Sequence, residues 1–383
     1  PTLSVFLPNG DFAGIYLNGG NYNIIGKMAL AGRNKKETWD QWYTGRFDLH
    51  PMKGLSVKGD YSWNRYSTVQ KFHRKEMTQT FPEGRDPYLV ETPNYVRNYN
   101  SNNIYQAINV WAEYKKSFND VHNLSLMAGY NQEEKTYAST SYTMTDLYDN
   151  EMPISDLAIN YKENEEGSDI WRVQGAFFRL NYDYRSKYLL EVNGRYDGSS
   201  KYAKHDRWAF FPSASVGWRI SEEKFFKSLS KVVDNLKIRA SIGALGNQIT
   251  DGNHSFMSII SGKVLTNYMM DGKIVNGLNI PTLPSMVTWE KVITKDIGLD
   301  WSLFKNRLFG SFDFYVRDTK DMVRSVTLPA VLGTSGGKEN IADMRTVGWE
   351  LEMTWKDRIQ NVLGSPLDYS LTVGLSDYQA EIT

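Results

Sequence analysis

The residues that could do chemistry in this chain are carboxylates, histidines and a glycine-rich turn, and none has the spacing a reaction needs. His50, His73, His122, His205 and His254 never fall into the H-E-x-x-H pattern that brings two imidazoles to one metal. Glu222 and Glu223 are neighbours and point apart, whereas paired-carboxylate hydrolysis needs two acids facing one bond. Gly333-Thr-Ser-Gly-Gly-Lys338 has a lysine one position too early for a phosphate loop. No G-x-S-x-G nucleophile elbow is present. Asp146, Asp149, Asn150 and Glu151 offer oxygen ligands suited to calcium, but without EF-hand spacing; a solvated acidic loop is the better account. The sequence therefore predicts no catalytic residue, no metal site, no cofactor and no enzyme activity.

A second set of charges has a different spacing. Arg179, Asp183, Glu191, Arg195, Arg219, Lys237, Arg239, Asp300, Asp313 and Arg317 alternate with apolar residues. The clearest case is residues 176–197. On its first arm Ala176, Phe178, Leu180, Tyr182 and Tyr184 oppose Phe177, Arg179, Asn181 and Asp183. On its second, Leu190, Val192, Gly194 and Tyr196 oppose Glu191, Asn193, Arg195 and Asp197. Strand side chains alternate, so each arm has one apolar and one charged face. Soluble strands average about five or six residues; these arms run about ten, the length a tilted strand needs to cross a bilayer. A charge facing lipid near mid-membrane costs about 2–4 kcal/mol for Arg or Lys, so the charges must face an aqueous interior. They are expected mainly to pair with one another.

Composition sets the outer limits. The 383 residues carry 44 Lys+Arg against 44 Asp+Glu, without the basic excess of a nucleic-acid binder. There is no cysteine, hence no disulfide framework or thiolate site. Aromatics are 14%, including 24 Tyr and 11 Trp. No run of 18 or more apolar residues exists, which excludes a transmembrane helix but not a barrel, whose signal per strand is weak.

Twelve long alternating segments are predicted, at 39–49, 55–65, 104–116, 122–135, 174–184, 188–198, 208–220, 236–245, 293–303, 307–318, 346–356 and 366–377. Their connections alternate short and long, as in outer-membrane barrels with tight periplasmic turns and long extracellular loops. Tyr66–Asn103, Lys135–Val173, Gly246–Val292 and Thr319–Arg345 are the long ones. Residues 221–235 suit a short amphipathic helix with Ser221 as N-cap. Residues 1–38, rich in Gly and Asn, read as an extracellular loop or strand end. The first and last strands open toward the long-loop side, whereas a complete bacterial barrel has an even strand number and no sheet edge open to lipid. Residues 39–383 are thus expected to be a middle slice of a larger barrel.

Several segments resemble the SusC/RagA family of TonB-dependent outer-membrane transporters of Bacteroidota. They are Asn193-Gly-Arg-Tyr-Asp-Gly-Ser-Ser200, Phe210-Phe-Pro-Ser-Ala-Ser-Val-Gly-Trp-Arg-Ile-Ser-Glu-Glu223, Asn235-Leu-Lys-Ile-Arg-Ala-Ser-Ile-Gly-Ala-Leu-Gly-Asn247, Thr288-Trp-Glu290 with Ile297-Gly-Leu-Asp300, and Asp313-Phe-Tyr-Val-Arg-Asp-Thr319. Leu328-Pro329 and Thr346-Val-Gly-Trp-Glu350 also fit. The resemblance implies an all-β fold: a transmembrane antiparallel β-barrel, of which this is a partial chain covering about twelve of roughly 22 strands. It implies the barrel wall of an importer in the outer membrane, taking up large nutrients, most readily oligosaccharides; oligopeptides are the alternative, and a structural envelope barrel a third. It implies a SusD-like surface lipoprotein lid and TonB as partners, with outer-membrane lipid around the wall. The family's plug domain and TonB box are not recognisable in the chain.

Substrate-binding residues cannot be assigned from the sequence. Tyr196-Asp197-Gly198-Ser199-Ser200 reads as a turn, and Phe210-Phe211-Pro212 as interface aromatics plus a strand-starting proline. Tyr88, Tyr95, Tyr99, Tyr137, Tyr142, Tyr148, Tyr161 and Tyr268 fall in the expected long loops, where a flat ring with a polar tip suits sugar stacking, lid contact or loop packing alike. They tilt the substrate expectation toward glycans.

Overall fold

The computed structural model describes residues 6, 10, 24–79, 88–90, 92–248, 250, 252–257, 264–278, 283–329, 331 and 336–383. Twelve long strands form one sheet in sequence order. They are β1 (Asn34–Met52), β2 (Leu55–Arg74), β5 (Tyr95–Phe118), β6 (His122–Leu147), β7 (Ala158–Tyr184), β8 (Tyr188–Ser199), β9 (Trp208–Arg219), β10 (Val233–Asn247), β13 (Glu290–Leu303), β14 (Leu308–Ser325), β15 (Lys338–Val362) and β16 (Ser365–Ile382). Two small hairpins, β3 (Met77–Gln79) with β4 (Tyr88–Val90) and β11 (Val264–Met270) with β12 (Lys273–Leu278), stand apart. A short helix α1 (Ile24–Leu30) precedes β1. Every register from β7 to β16 is antiparallel. No described helix is long and apolar enough to cross a membrane.

The chain divides into two compact units. One comprises residues 1–44, 62–106 and 135–170; the other comprises 45–61, 107–134 and 171–383.

Each of the twelve predicted segments lies on one of the twelve sheet strands. The connections differ from expectation. Much of what reads as loop in 66–103 and 135–173 is strand: β2 continues to Arg74, β5 starts at Tyr95, β6 continues to Leu147 and β7 starts at Ala158. Stretches such as Thr136-Tyr-Ala-Ser-Thr-Ser-Tyr-Thr-Met-Thr145 are polar on both faces, so they lose the apolar alternation. Their β-branched and aromatic residues still favour extended backbone. The segment at 221–235 is also corrected. It forms two short 3-10 turns, Ile220–Glu222 and Lys224–Ser228, with no side-chain cap. Ser221 instead donates to the Asn235 side chain at 3.5 Å.

Registry makes the two faces explicit in the second unit. One row across the sheet reads Leu190, Val216, Ala240, Ile297, Phe314, Trp349; the next reads Glu191, Ser215, Ser241, Asp296, Tyr315, Gly348. The apolar row lies open: Ile297 is 61% and Val216 53% exposed. Leu190, Val192, Leu299 and Trp301 are likewise not buried. A contiguous bare apolar face of this size fits lipid rather than water. Aromatics close it at both ends. Tyr184, Tyr188 and Trp218 stand at the short-turn end; Tyr196 stacks on Trp208 at 5.1 Å at the other, with Phe210 beside them. From Tyr188 to Tyr196 the strand rises about 26 Å, or roughly 20 Å normal to a bilayer at barrel tilt, close to the apolar band of an outer-membrane barrel.

Candidate functional site

The opposite face carries the charges, and in the second unit it holds two networks. The first crosses β2 to β8. Asn109 Nδ2 donates to Asp60 at 2.9 Å, Asn131 Nδ2 to Asn109 at 3.4 Å, and Arg195 to Asn131 at 3.4 Å. Arg195 grips Asp197 with two bonds, 3.0 and 2.8 Å, and its guanidinium lies 5.5 Å from the Phe177 ring centre. Asp197 is buried, and Gly175 directly opposite leaves it room: a Cβ there would collide with the carboxylate.

The second network crosses β10 to β14 and centres on Arg239. Its guanidinium donates to Asp300 at 3.2 Å, to Asp296 at 3.2 Å and to Asp313 at 2.7 Å. Lys237 lies 3.7 Å from Asp300. Gly298 sits between the two aspartates of β13, and a Cβ there would strike the Arg239 guanidinium. A recess of about 790 Å³ opens on this face, lined by Asn181, Asp183, Glu191, Lys237, Arg239 and Asp296 among others.

The remaining predicted interior charges find nearby partners on the same face. Arg179 donates to Asn193 at 2.7 Å, Asp183 accepts from Asn123 at 3.1 Å, Asn193 donates to Glu191 at 2.8 Å, and Arg219 pairs with Glu222 at 3.0 Å. Arg317 stands over Tyr315. Sequence reasoning missed Asp60, Asn109, Asn131 and Asp296. For Asp296 a signal existed, since it precedes Gly298 and Asp300 at the same two-residue spacing.

The motif at Thr288-Trp289-Glu290 anchors the long connection before β13. Thr288 Oγ1 donates to the Asp206 carbonyl at 2.9 Å and Trp289 Nε1 to the Arg207 carbonyl at 2.9 Å. Glu290 accepts from Val323 N–H at 2.7 Å and from Asn247 at 3.2 Å. Trp289, Tyr202, Phe211 and Val287 form a buried cluster. Two expectations change here. Phe211 is buried against Trp289 rather than set at a membrane interface, and Pro212 lies inside β9, not at its start. Asp197, Gly198 and Ser199 belong to β8, and the turn begins at Ser200; Ser199 is fully buried and donates to Gln248 at 2.8 Å.

The first unit holds a different surface. Phe72 and Tyr95 stack at 5.5 Å, Tyr99 and Tyr137 join hydroxyls at 3.1 Å, and Arg97 donates to Ser141 at 2.9 Å and to Glu165 at 3.0 Å. A recess of about 360 Å³ is lined by Gln70, Phe72, Tyr95, Arg97 and Tyr99. Tyr95, Tyr99, Tyr137, Tyr142 and Tyr161 thus lie on strands rather than in loops, while Tyr148 sits in a turn. The side chains of Tyr88 and Tyr268 are outside the described residues.

The acidic turn is engaged locally. Asp146 accepts from Thr145 and Asn160, Asn150 bonds Glu76 and Asn94, and Glu151 pairs with Lys75. Among the described residues no three acidic or histidine side chains gather as metal ligands.

A sheet with one continuous lipid-suited face and one networked polar face is the wall of a transmembrane β-barrel. Residues 3–382 match the family model described as "TonB dependent receptor-like, beta-barrel". The chain therefore belongs to that family, whose members are transporters and receptors of the outer membrane rather than enzymes. A TonB-dependent receptor of Formosa agariphila is 27% identical over the whole chain, which covers 38% of that protein. The TonB-dependent receptor SusC of Bacteroides thetaiotaomicron is 30% identical over 51% of the chain, or 20% of its own length. A solved structure of the RagAB peptide transporter superposes with a TM-score of 0.77 at 22% identity, over 98% of this chain and 40% of that one. The chain spans less than two fifths of the length of these curated relatives.

Proposed function

We propose that residues 39–383 form part of the barrel wall of an importer for large nutrients, with oligosaccharides as the substrate class. The long connections face the outside of the cell. A SusD-like lipoprotein closes that end, and TonB supplies energy through parts of the protein beyond this segment.

The observation that supports a glycan is the shelf of Phe72, Tyr95, Tyr99 and Tyr137 with Arg97 and Gln70 at its edge. Flat aromatic faces with polar tips match the apolar faces and hydroxyl rims of sugar rings. The networked polar face supports a conduit, because its charges compensate one another instead of forming a reactive centre.

The test is to purify the intact protein from its native membrane and identify copurified ligand by mass spectrometry. Oligosaccharide, lost in a Tyr95→Ala/Tyr99→Ala variant, supports the proposal. Peptides in its place overturn the substrate class and leave the importer reading standing.

A further inference from the structure

The connection between β9 and β10 is the long one at the short-turn end, and its composition is unusual for a solvated turn. Phe225 is 67%, Leu229 53% and Val232 47% exposed. Interleaved with them, Lys224, Lys227 and Lys231 are exposed and have no carboxylate partner among the described residues. Phe304 of the adjoining turn is also bare, and its N–H donates to the Val232 carbonyl at 2.8 Å. Four apolar side chains and three exposed ammonium groups thus share one edge.

The segment is tied to the lipid-facing side of the wall. Tyr188 Oη donates to Glu223 at 2.8 Å and Trp218 Nε1 to the same oxygen at 3.3 Å. Both rings belong to the aromatic belt that closes the apolar face. Lys187 reaches the other Glu223 oxygen at 3.3 Å, and Phe226 is buried. The segment is therefore fixed by its first residues and presents the rest outward, continuous with the surface that meets acyl chains.

We propose that residues 224–232 form an interfacial membrane anchor: Phe225, Leu229 and Val232 enter the acyl boundary of the adjacent leaflet, and the three lysines bind phospholipid phosphates. Short segments with apolar side chains and a basic complement partition to this depth. Each lysine near an anionic surface contributes attraction that salt screens. A turn made for water would not leave these apolar groups bare beside an aromatic belt.

This segment has no cysteine, so single cysteines can be introduced into it and spin-labelled in the intact protein, with any cysteine elsewhere replaced by serine. Phe225→Cys and Leu229→Cys are compared with Leu190→Cys as the lipid reference and Tyr148→Cys as the water reference, in vesicles of phosphatidylethanolamine and phosphatidylglycerol. Oxygen should broaden the 225 and 229 spectra severalfold more than a water-soluble nickel chelate does, as at 190. The triple variant K224E/K227E/K231E should restore chelate access in these vesicles and change little in phosphatidylcholine. Labels at 225 and 229 that match 148, or that are shielded from both reagents, overturn the anchor. Unchanged access in the triple variant overturns the phosphate contacts. Heat-modifiable gel mobility confirms that each variant is folded.

Discussion

Between β2 and β8 the polar face is held by a relay of amides ending in one arginine; between β10 and β14 it is held by one guanidinium among three carboxylates. Each asparagine of the relay both donates and accepts, so a lost member affects only its neighbours. The Arg239 cluster has one hub. Glu350 lies opposite Asp313 and Glu352 opposite Ser311, so further carboxylates of β15 stand beside the three that Arg239 holds. Amide relays are tolerant, and hub clusters are brittle because removing the hub leaves like charges facing one another.

The largest expected effect follows from that brittleness. Arg239→Leu should destabilise the wall by on the order of 3 kcal/mol, because three carboxylates lose their shared cation. The heat-modifiable transition should drop by several degrees, and an unchanged midpoint would remove the hub from the account. Gly298→Ala probes the same cluster more gently. Its Cβ collides with the mobile end of Arg239, so a cost of about 1–2 kcal/mol is expected. Asn109→Leu should cost only about 1 kcal/mol; a loss equal to that of Arg239→Leu would erase the contrast between the two networks.

The smallest effect lies outside both, at Glu223 in the β9–β10 connection. The Tyr188 hydroxyl above all, then the Trp218 indole and Lys187, hold its carboxyl below the ordinary range. A depressed carboxylate contributes fully above its unfolded pKa and loses that contribution as pH falls through the folded value. Tyr188→Phe should flatten the stability profile only on the acid side, below about pH 4.5. The variant should be less stable than the parent by a constant amount at neutral pH and should converge with it in acid; a difference that persists below the carboxylate range would reject the assignment.

The strands were legible because lipid on one side and water on the other enforce a period of two, as Leu190, Glu191, Val192 and Asn193 show. Where that constraint ends, legibility ends with it: Thr136–Thr145 is strand with neither face apolar. The partners of Arg239 could not be read, since register between β10 and β14 depends on turns that sequence does not fix. Nor could the burial of Phe211, which rests on Trp289 arriving from a connection some 80 residues away. The charges themselves were visible; their pairing was not.

The central claim is that successive residues of β8 meet lipid and water in turn. Single cysteines at positions 190 to 195 of the intact protein, treated with a water-soluble maleimide in native membranes, test it most directly. Labelling is expected at 191, 193 and 195, and protection at 190, 192 and 194. Uniform labelling, or the reverse alternation, would contradict it.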